Sequence, residues 1–284
     1  MKLLTLLGFA TLTVAASASP VAHVSFVSGG ARYHAVVVDM SAGKVSVKTV
    51  LASGSRSAWS MIGKDQPLAA ITGTFFAPAQ GIPVADVLVD GNLKATGDRG
   101  SCFGVDYFGC VSIFDERFRT PVEWSSFQYG LRGAVRVVSN GKVCPDPKAQ
   151  RFRDKRIWSS ASRTGIGITK AGKLVLIATS RPVTLSQFGR AMVACGIKNG
   201  LSLDGGSSTC LYYNGQMLLS PKRRLTNLLV ITPRPSQLLP PQQIAKIPAA
   251  PLTGENRITI SVQQKSVGAD VPAAGAPGPG RKQR

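Results

Sequence analysis

Residues 202–216 read SLDGGSSTCLYYNGQ, and the fold turns on how this stretch is parsed. Leu201 and Leu203 alternate with Ser202, so a short strand runs into Asp204. Cys210, Leu211 and Tyr212 begin another strand, which turns back at Asn214-Gly215. The five residues between, Gly205, Gly206, Ser207, Ser208 and Thr209, are then a loop joining two strands. Glycines let such a loop curl until successive N–H groups face one concavity, which suits an anion. The hydroxyls add donors, and Asp204 beside them could act as a base, a nucleophile or an acceptor for a sugar hydroxyl. An Asx-type turn in which Asp204 caps its own loop accounts for the same residues.

The same hairpin logic works outward along the chain. Asp90-Gly91 in VLVDGNLKA and Asn140-Gly141 in VRVVSNGKV each sit between apolar runs, as does Ala171-Gly172 more weakly. The Val-rich segment 21–52 breaks at Gly29-Gly30 and again at residues 41–43, giving strand, turn, strand, turn, strand. Thr184-Leu185-Ser186-Gln187 has the form of a capping box. Leu185, Phe188, Ala191, Met192 and Cys195 then make one helical face, ended by Gly196. A second, weaker helical signal covers residues 57–62. The expected fold is α+β: a single mixed, β-rich domain with several hairpins and a few packed helices.

The ends differ from this body. Lys2, an apolar stretch at 3–16 and Ala16-Ser17-Ala18 read as a signal peptide, residues 1–18. That stretch is too short to span a bilayer comfortably, and no later one approaches the length required. The domain is expected over residues 19–233. A Pro-rich, basic and disordered tail follows at 234–284, with one strand conceivable at 255–267. The chain reads as secreted, periplasmic or held in the cell envelope. Export permits disulfides, and Cys102 and Cys110 bracket a loop they could close into a small ring. Two histidines and the lack of any C-x-x-C leave a zinc site or a His-based triad without material.

The net charge is +20, from 34 basic and 14 acidic residues. Such a field attracts polyanions: phosphate-bearing glycans, or a polyanionic envelope surface. No nucleic-acid motif accompanies it, so nucleic acid is not an expected partner. A solvated, generally basic exported protein would show the same charge.

LDGGSSTCLYYNG resembles the signature of the phosphodiester glycosidase family, whose members typically read LDGGGSS or LDGGSS before a strand and an Asn-Gly turn. ITGTFFAP at 71–78 resembles the family's Gly-Phe-Phe segment. PVADVLVDGNL, RGAVRVVSNGKV, SRTGIGITKAGKLVLIAT and RRLTNLLVI follow in the family's order, so the resemblance spans roughly residues 68–232. It implies hydrolysis of a sugar 1-phosphodiester to free sugar and phosphomonoester. Three departures stand out: Thr72 where the family commonly has Asn, Thr74 for a glycine, and Thr179-Ser180-Arg181 where Asp-Gly is common.

The resemblance also assigns roles. Asp204 becomes the base or nucleophile, Arg163 of RTGIG the phosphate grip, and Asp86 a second carboxylate. Gly205, Gly206, Ser207, Ser208 and Thr209 would hold phosphate or sugar hydroxyls. Phe75 and Phe76 would stack on a sugar face, with Arg224 as a further phosphate ligand. Each has a structural alternative: an ion-paired Arg163, an edge-strand Asp86, a self-capped loop and core phenylalanines. No cofactor is called for; Asp204, Asp86 and backbone oxygens could hold a hard cation such as calcium, but no ligand spacing identifies one. The rival functions are a non-catalytic binder of anionic glycans on the same fold, and an interaction protein held to a surface by its tail.

Overall fold

The computed structural model describes residues 19–63 and 66–234. The signal-peptide segment, the tail beyond residue 234 and the strand considered at 255–267 lie outside the described residues. Strands β1 (Val21–Ser28), β2 (Ala31–Val38) and β3 (Val45–Arg56) precede helix α1 (Ala58–Ile62). Five short strands follow: β4 (Ala69–Thr72), β5 (Phe76–Ala77), β6 (Ile82–Pro83), β7 (Val87–Val89) and β8 (Asn92–Ala95). Then come β9 (Ser101–Asp106), β10 (Val111–Asp115), the long β11 (Phe127–Ser139), β12 (Lys142–Val143) and α2 (Lys155–Trp158). The last elements are β13 (Ala161–Thr169), β14 (Leu174–Val183), α3 (Leu185–Ala194), β15 (Ile197–Ser202), β16 (Leu211–Tyr213), β17 (Gln216–Leu219) and β18 (Leu225–Pro233).

A large sheet runs β1-β2-β14-β13-β15-β11-β7-β8, with β12 and the β9–β10 hairpin attached through β11. A second sheet runs β17-β16-β4-β18-β3, and β5–β6 form a small ribbon. Every pairing is antiparallel. The architecture is thus β-rich, with two packed sheets and three short helices among the described residues.

The period-2 alternation of side chains explains the layering. Val36, Val38, Leu174, Leu176, Ile166 and Leu201 face inward from the large sheet, meeting Val47, Ile71, Leu211, Leu229 and Ile231 of the second sheet. Their neighbours Ala35, Val175, Ile177, Val135 and Val137 point the other way, where α3 covers them with Leu185, Phe188, Ala191 and Met192. On the far side, Ala70, Tyr212, Leu228 and Val230 pack under Ala58, Met61 and Ile62 of α1. A strand covered on both faces needs no polar side, which is why LVLIA in β14 is a continuous apolar run.

The local signals hold. Asp90-Gly91, Asn140-Gly141 and Asn214-Gly215 all carry positive φ (49° and 72°, 49° and 77°, 43° and 86°) and close the β7–β8, β11–β12 and β16–β17 hairpins. Thr184 and Gln187 form the reciprocal capping box of α3, an arrangement worth about 1 kcal/mol per cap. The Cys102–Cys110 ring is corrected: all five cysteines are free. The hairpin register sets Cys102 against Phe114, while Asp106 donates its N–H to the Cys110 carbonyl at 3.0 Å. Cys110 therefore lies at the Asp106 end of β9, about 13 Å along the strand from Cys102, beyond disulfide reach.

Candidate active site

The site lies where one end of each sheet meets the other. After β15 the chain is held by backbone bonds to both: Leu203 N–H to the Thr164 carbonyl of β13 (2.9 Å), and Asp204 N–H to the Gly73 carbonyl just past β4 (3.1 Å). The Thr164 hydroxyl donates to the Asp204 carbonyl at 2.6 Å. Two close approaches require glycine here. A Cβ on Gly73 would collide with Asn227 Oδ1, and one on Gly205 with the Ser162 carbonyl. Asn227, buried in β18, accepts from Thr74 N–H at 2.7 Å and donates to the Thr74 carbonyl at 3.1 Å. It thereby fixes the segment that carries Phe75 and Phe76.

Asp204 is 5% exposed. Its Oδ2 accepts from Arg223 Nη2 at 3.0 Å, and Arg223 Nε donates to Ser208 Oγ at 2.6 Å. Burial pushes the Asp204 carboxyl above the ordinary carboxylate range; the Ser208 hydroxyl, the Arg223 charge and the Gly205 N–H pull it partly back. The Arg223 guanidinium also stacks over Phe76, Cζ 4.5 Å from the ring centroid. The result is a buried carboxylate with one cationic partner.

This carboxylate opens onto a cleft of about 760 Å³. One part of the wall is apolar: Phe75, Phe76, Pro78, Val84, Phe152 and Ile157, with Phe75 edge-on to Phe152 at 5.9 Å. Its charged part sets five arginines (99, 153, 156, 163 and 223) against Asp98, Asp154 and Asp204. Arg156 is clamped by Asp154, Nη2 to Oδ2 at 2.6 Å, whereas Arg153 has no ion pair among the described residues. A surplus of guanidinium around one buried carboxylate suits an anionic ligand with an apolar face.

Of the expected site residues, Asp204, Gly205, Gly206, Ser207, Phe75, Phe76 and Arg163 line this cleft. Several roles need correction. Arg163, 5% exposed, gives Nε to the Val183 carbonyl (3.2 Å), Nη1 to that of Ile157 (3.1 Å) and Nη2 to that of Ser159. It has no carboxylate partner, and burial lowers its pKa to about 10. Three of its donors are thus spent on the α2 segment and the end of β14, although the residue lines the cleft. Asp86 does not line this cleft: Oδ1 accepts from Gly97 N–H at 2.7 Å and Oδ2 from the Trp124 indole at 2.9 Å, beside a neighbouring cavity that shares Asp98 with the cleft. Both of its carboxylate oxygens already accept hydrogen bonds, and it is not among the residues that line the cleft with Asp204. Ser208 is buried on Asp204 and Arg223, and the Thr209 hydroxyl is buried without a partner, so Ser207 alone keeps its hydroxyl at the cleft. Arg224 is exposed outside the cleft, and its neighbour Arg223 takes the place expected of it.

Sequence reasoning missed Arg223, Arg153, Arg156 and Asn227. The basic run 148–156 held a signal for two of them. Asn227 held another, since a lone amide in the apolar run LTNLLVI marks a buried hydrogen-bonding hub. Of the family departures, Thr72, Thr74 and Thr179 are buried in the scaffold, while Ser180 and Arg181 are exposed. Thr72 Oγ1 donates to the Ser208 carbonyl (2.6 Å), Thr74 Oγ1 to that of Arg132 (2.6 Å) and Thr179 Oγ1 to that of Arg32 (2.7 Å), and none lines the cleft.

Fold and site together give an antiparallel β protein whose arginine-lined cleft holds one buried carboxylate, Asp204. The phosphodiester glycosidase family profile matches residues 65–232, more than half of the chain. The chain belongs to the phosphodiester glycosidase family. Comparison with curated protein sequences gave no match. Among solved structures, a hypothetical protein from Synechocystis is similar, with TM-score 0.66 and 14% identity over 75% of this chain and 61% of that one. The chain thus spans about three-fifths of that protein. The zebrafish N-acetylglucosamine-1-phosphodiester α-N-acetylglucosaminidase catalytic domain, auto-inhibited by its pro-peptide, gives TM-score 0.62 and 18% identity over 75% and 82%. At these identities the likeness concerns the fold.

Proposed function

We propose that this protein hydrolyses a sugar 1-phosphodiester to free sugar and phosphomonoester, acting on a phosphate-bearing glycan outside the cytoplasm. One observation carries the reading: Asp204, the one carboxylate of the cleft that is more than nine-tenths buried, has its pKa raised by burial and sits among arginines, as suits a general base. The chemistry fits this inventory. Water oxygen bonds to the anomeric carbon as the carbon–oxygen bond to phosphate breaks, and the bonding electrons leave on the phosphate oxygen. Asp204 takes the water proton. The departing group is already a stable anion, so it needs guanidinium contacts more than a proton. Arg156 and Arg153 at the rim, with Arg223 within, are placed to supply them.

The separation of Asp86 from the cleft favours a second reading, a non-catalytic binder of anionic glycans, because no second buried carboxylate stands beside Asp204. Release of sugar from a model sugar 1-phosphodiester decides between them. The hydrolase reading expects turnover that falls about 10²–10⁴-fold in Asp204→Asn. Salt-sensitive binding with no turnover under any condition would establish the binder instead.

A further inference from the structure

Three guanidinium groups converge on one phenyl ring beside the cleft. Arg119, Arg99 and Arg151 place Cζ at 5.2, 5.6 and 5.8 Å from the Phe118 centroid. Each cation–π attraction is weak at a partly exposed ring, while three neighbouring cations repel one another. Counter-charge is sparse. Asp98 accepts from Arg99 Nε at 3.0 Å, but Arg119 and Arg151 have no ion pair among the described residues. The backbone adds a second oddity. Arg119 and Arg151 have φ of 67° and 66°, in the left-handed region that L side chains rarely adopt. Apart from Gln66, the other non-glycine residues with positive φ are the Asp and Asn of the three hairpin turns. Local strain of this kind persists where the surroundings enforce it, and it gathers at functional sites.

The cluster is continuous with the cleft. Arg99 belongs to both, and Arg153, two residues beyond Arg151, lines the cleft unpaired. We propose that Arg99, Arg119 and Arg151 around Phe118 form a second anion subsite, which holds the next phosphate of a substrate chain while the cleft holds the scissile one. Planar guanidinium groups take phosphate oxygens two at a time, and the ring keeps them extended for that contact. The inference rests on the phosphodiester reading above and narrows it. The substrate class becomes a glycan with repeated phosphodiester links, rather than an isolated sugar phosphodiester.

The test compares kcat/KM of the full chain on a one-phosphate sugar diester and on a defined oligomer carrying three such links. The oligomer should be favoured on the order of tenfold at low salt, the effect of one added charge-assisted contact. That preference should shrink toward one at high salt and in the Arg119→Gln/Arg151→Gln variant, while Arg119→Lys/Arg151→Lys keeps part of it. Equal kcat/KM on both substrates, or a preference untouched by the glutamines, overturns the subsite. Equilibrium binding of the same oligomer to Asp204→Asn reads the subsite without turnover. If no substrate is cleaved but the oligomer binds in an Arg119- and Arg151-dependent way, the hydrolase reading fails and the subsite stands. Dependence on these arginines seen only for vesicles of anionic lipid, and not for the oligomer, overturns the glycan assignment.

Discussion

Replacing Asn227 with alanine isolates the device that holds the aromatic wall of the cleft. The amide makes three bonds: from Thr74 N–H (2.7 Å), to the Thr74 carbonyl (3.1 Å) and to Thr226 Oγ1 (2.9 Å). Thr74 and Thr226 are both fully buried, so no solvent is at hand to replace what is lost. Two orphaned main-chain groups at about 1–3 kcal/mol each give a loss of roughly 2–4 kcal/mol, once water entering the vacated space is allowed for. For a domain of this size that lowers Tm by roughly 5–15 °C. The assay is denaturant and thermal unfolding, with an unchanged m-value required so that the shift reports stability alone. A control runs the other way: Thr49 is buried with a hydroxyl that has no partner, so Thr49→Val should be neutral or stabilising. A loss below about 1 kcal/mol for Asn227→Ala, or an equal loss in the control, would refute this accounting. The variant should also lower kcat/KM, because Phe75 and Phe76 follow Thr74 into the cleft.

Arg223→Gln removes the cation paired with Asp204, so the carboxyl pKa, already raised by burial, climbs further. Since a general base must be ionised, the acid limb of the pH–rate profile should move to higher pH, and Arg223→Lys should move it part of the way back. An unmoved limb would separate Arg223 from the base. Arg163→Lys keeps a charge but cannot span the Val183, Ile157 and Ser159 carbonyls together. Trypsin should then cut after Arg153, Lys155 or Arg156 several-fold faster than in the parent protein, and equal rates would show that Arg163 does not anchor this segment. With no disulfide present, a thiol reductant should leave Tm unchanged. Alkylation of the native protein should mark the exposed Cys110 and Cys144, whereas Cys102 and Cys210, their pKa raised to about 12 by burial, should react only on unfolding.

What the sequence determined by itself was local. Asn-Gly and Asp-Gly pairs, the Thr184–Gln187 box and the period-2 apolar runs act within a few residues, so hairpins, α3 and the β-rich character were legible. So was the family, because LDGGSST packs its information into one contiguous loop. The fate of each charged side chain was decided elsewhere. Arg163 and Asp204 sit 41 positions apart in two motifs that the family resemblance assigned to one site, yet the fold turns three of Arg163's donors onto carbonyls at residues 157, 159 and 183. Arg223 and Arg224 are chemically identical neighbours, and only the path of the chain into β18 puts one on Asp204 and the other in solvent. A guanidinium reaches whatever acceptor the packed sheets bring within about 3 Å, and that distance is set by contacts between residues far apart in sequence.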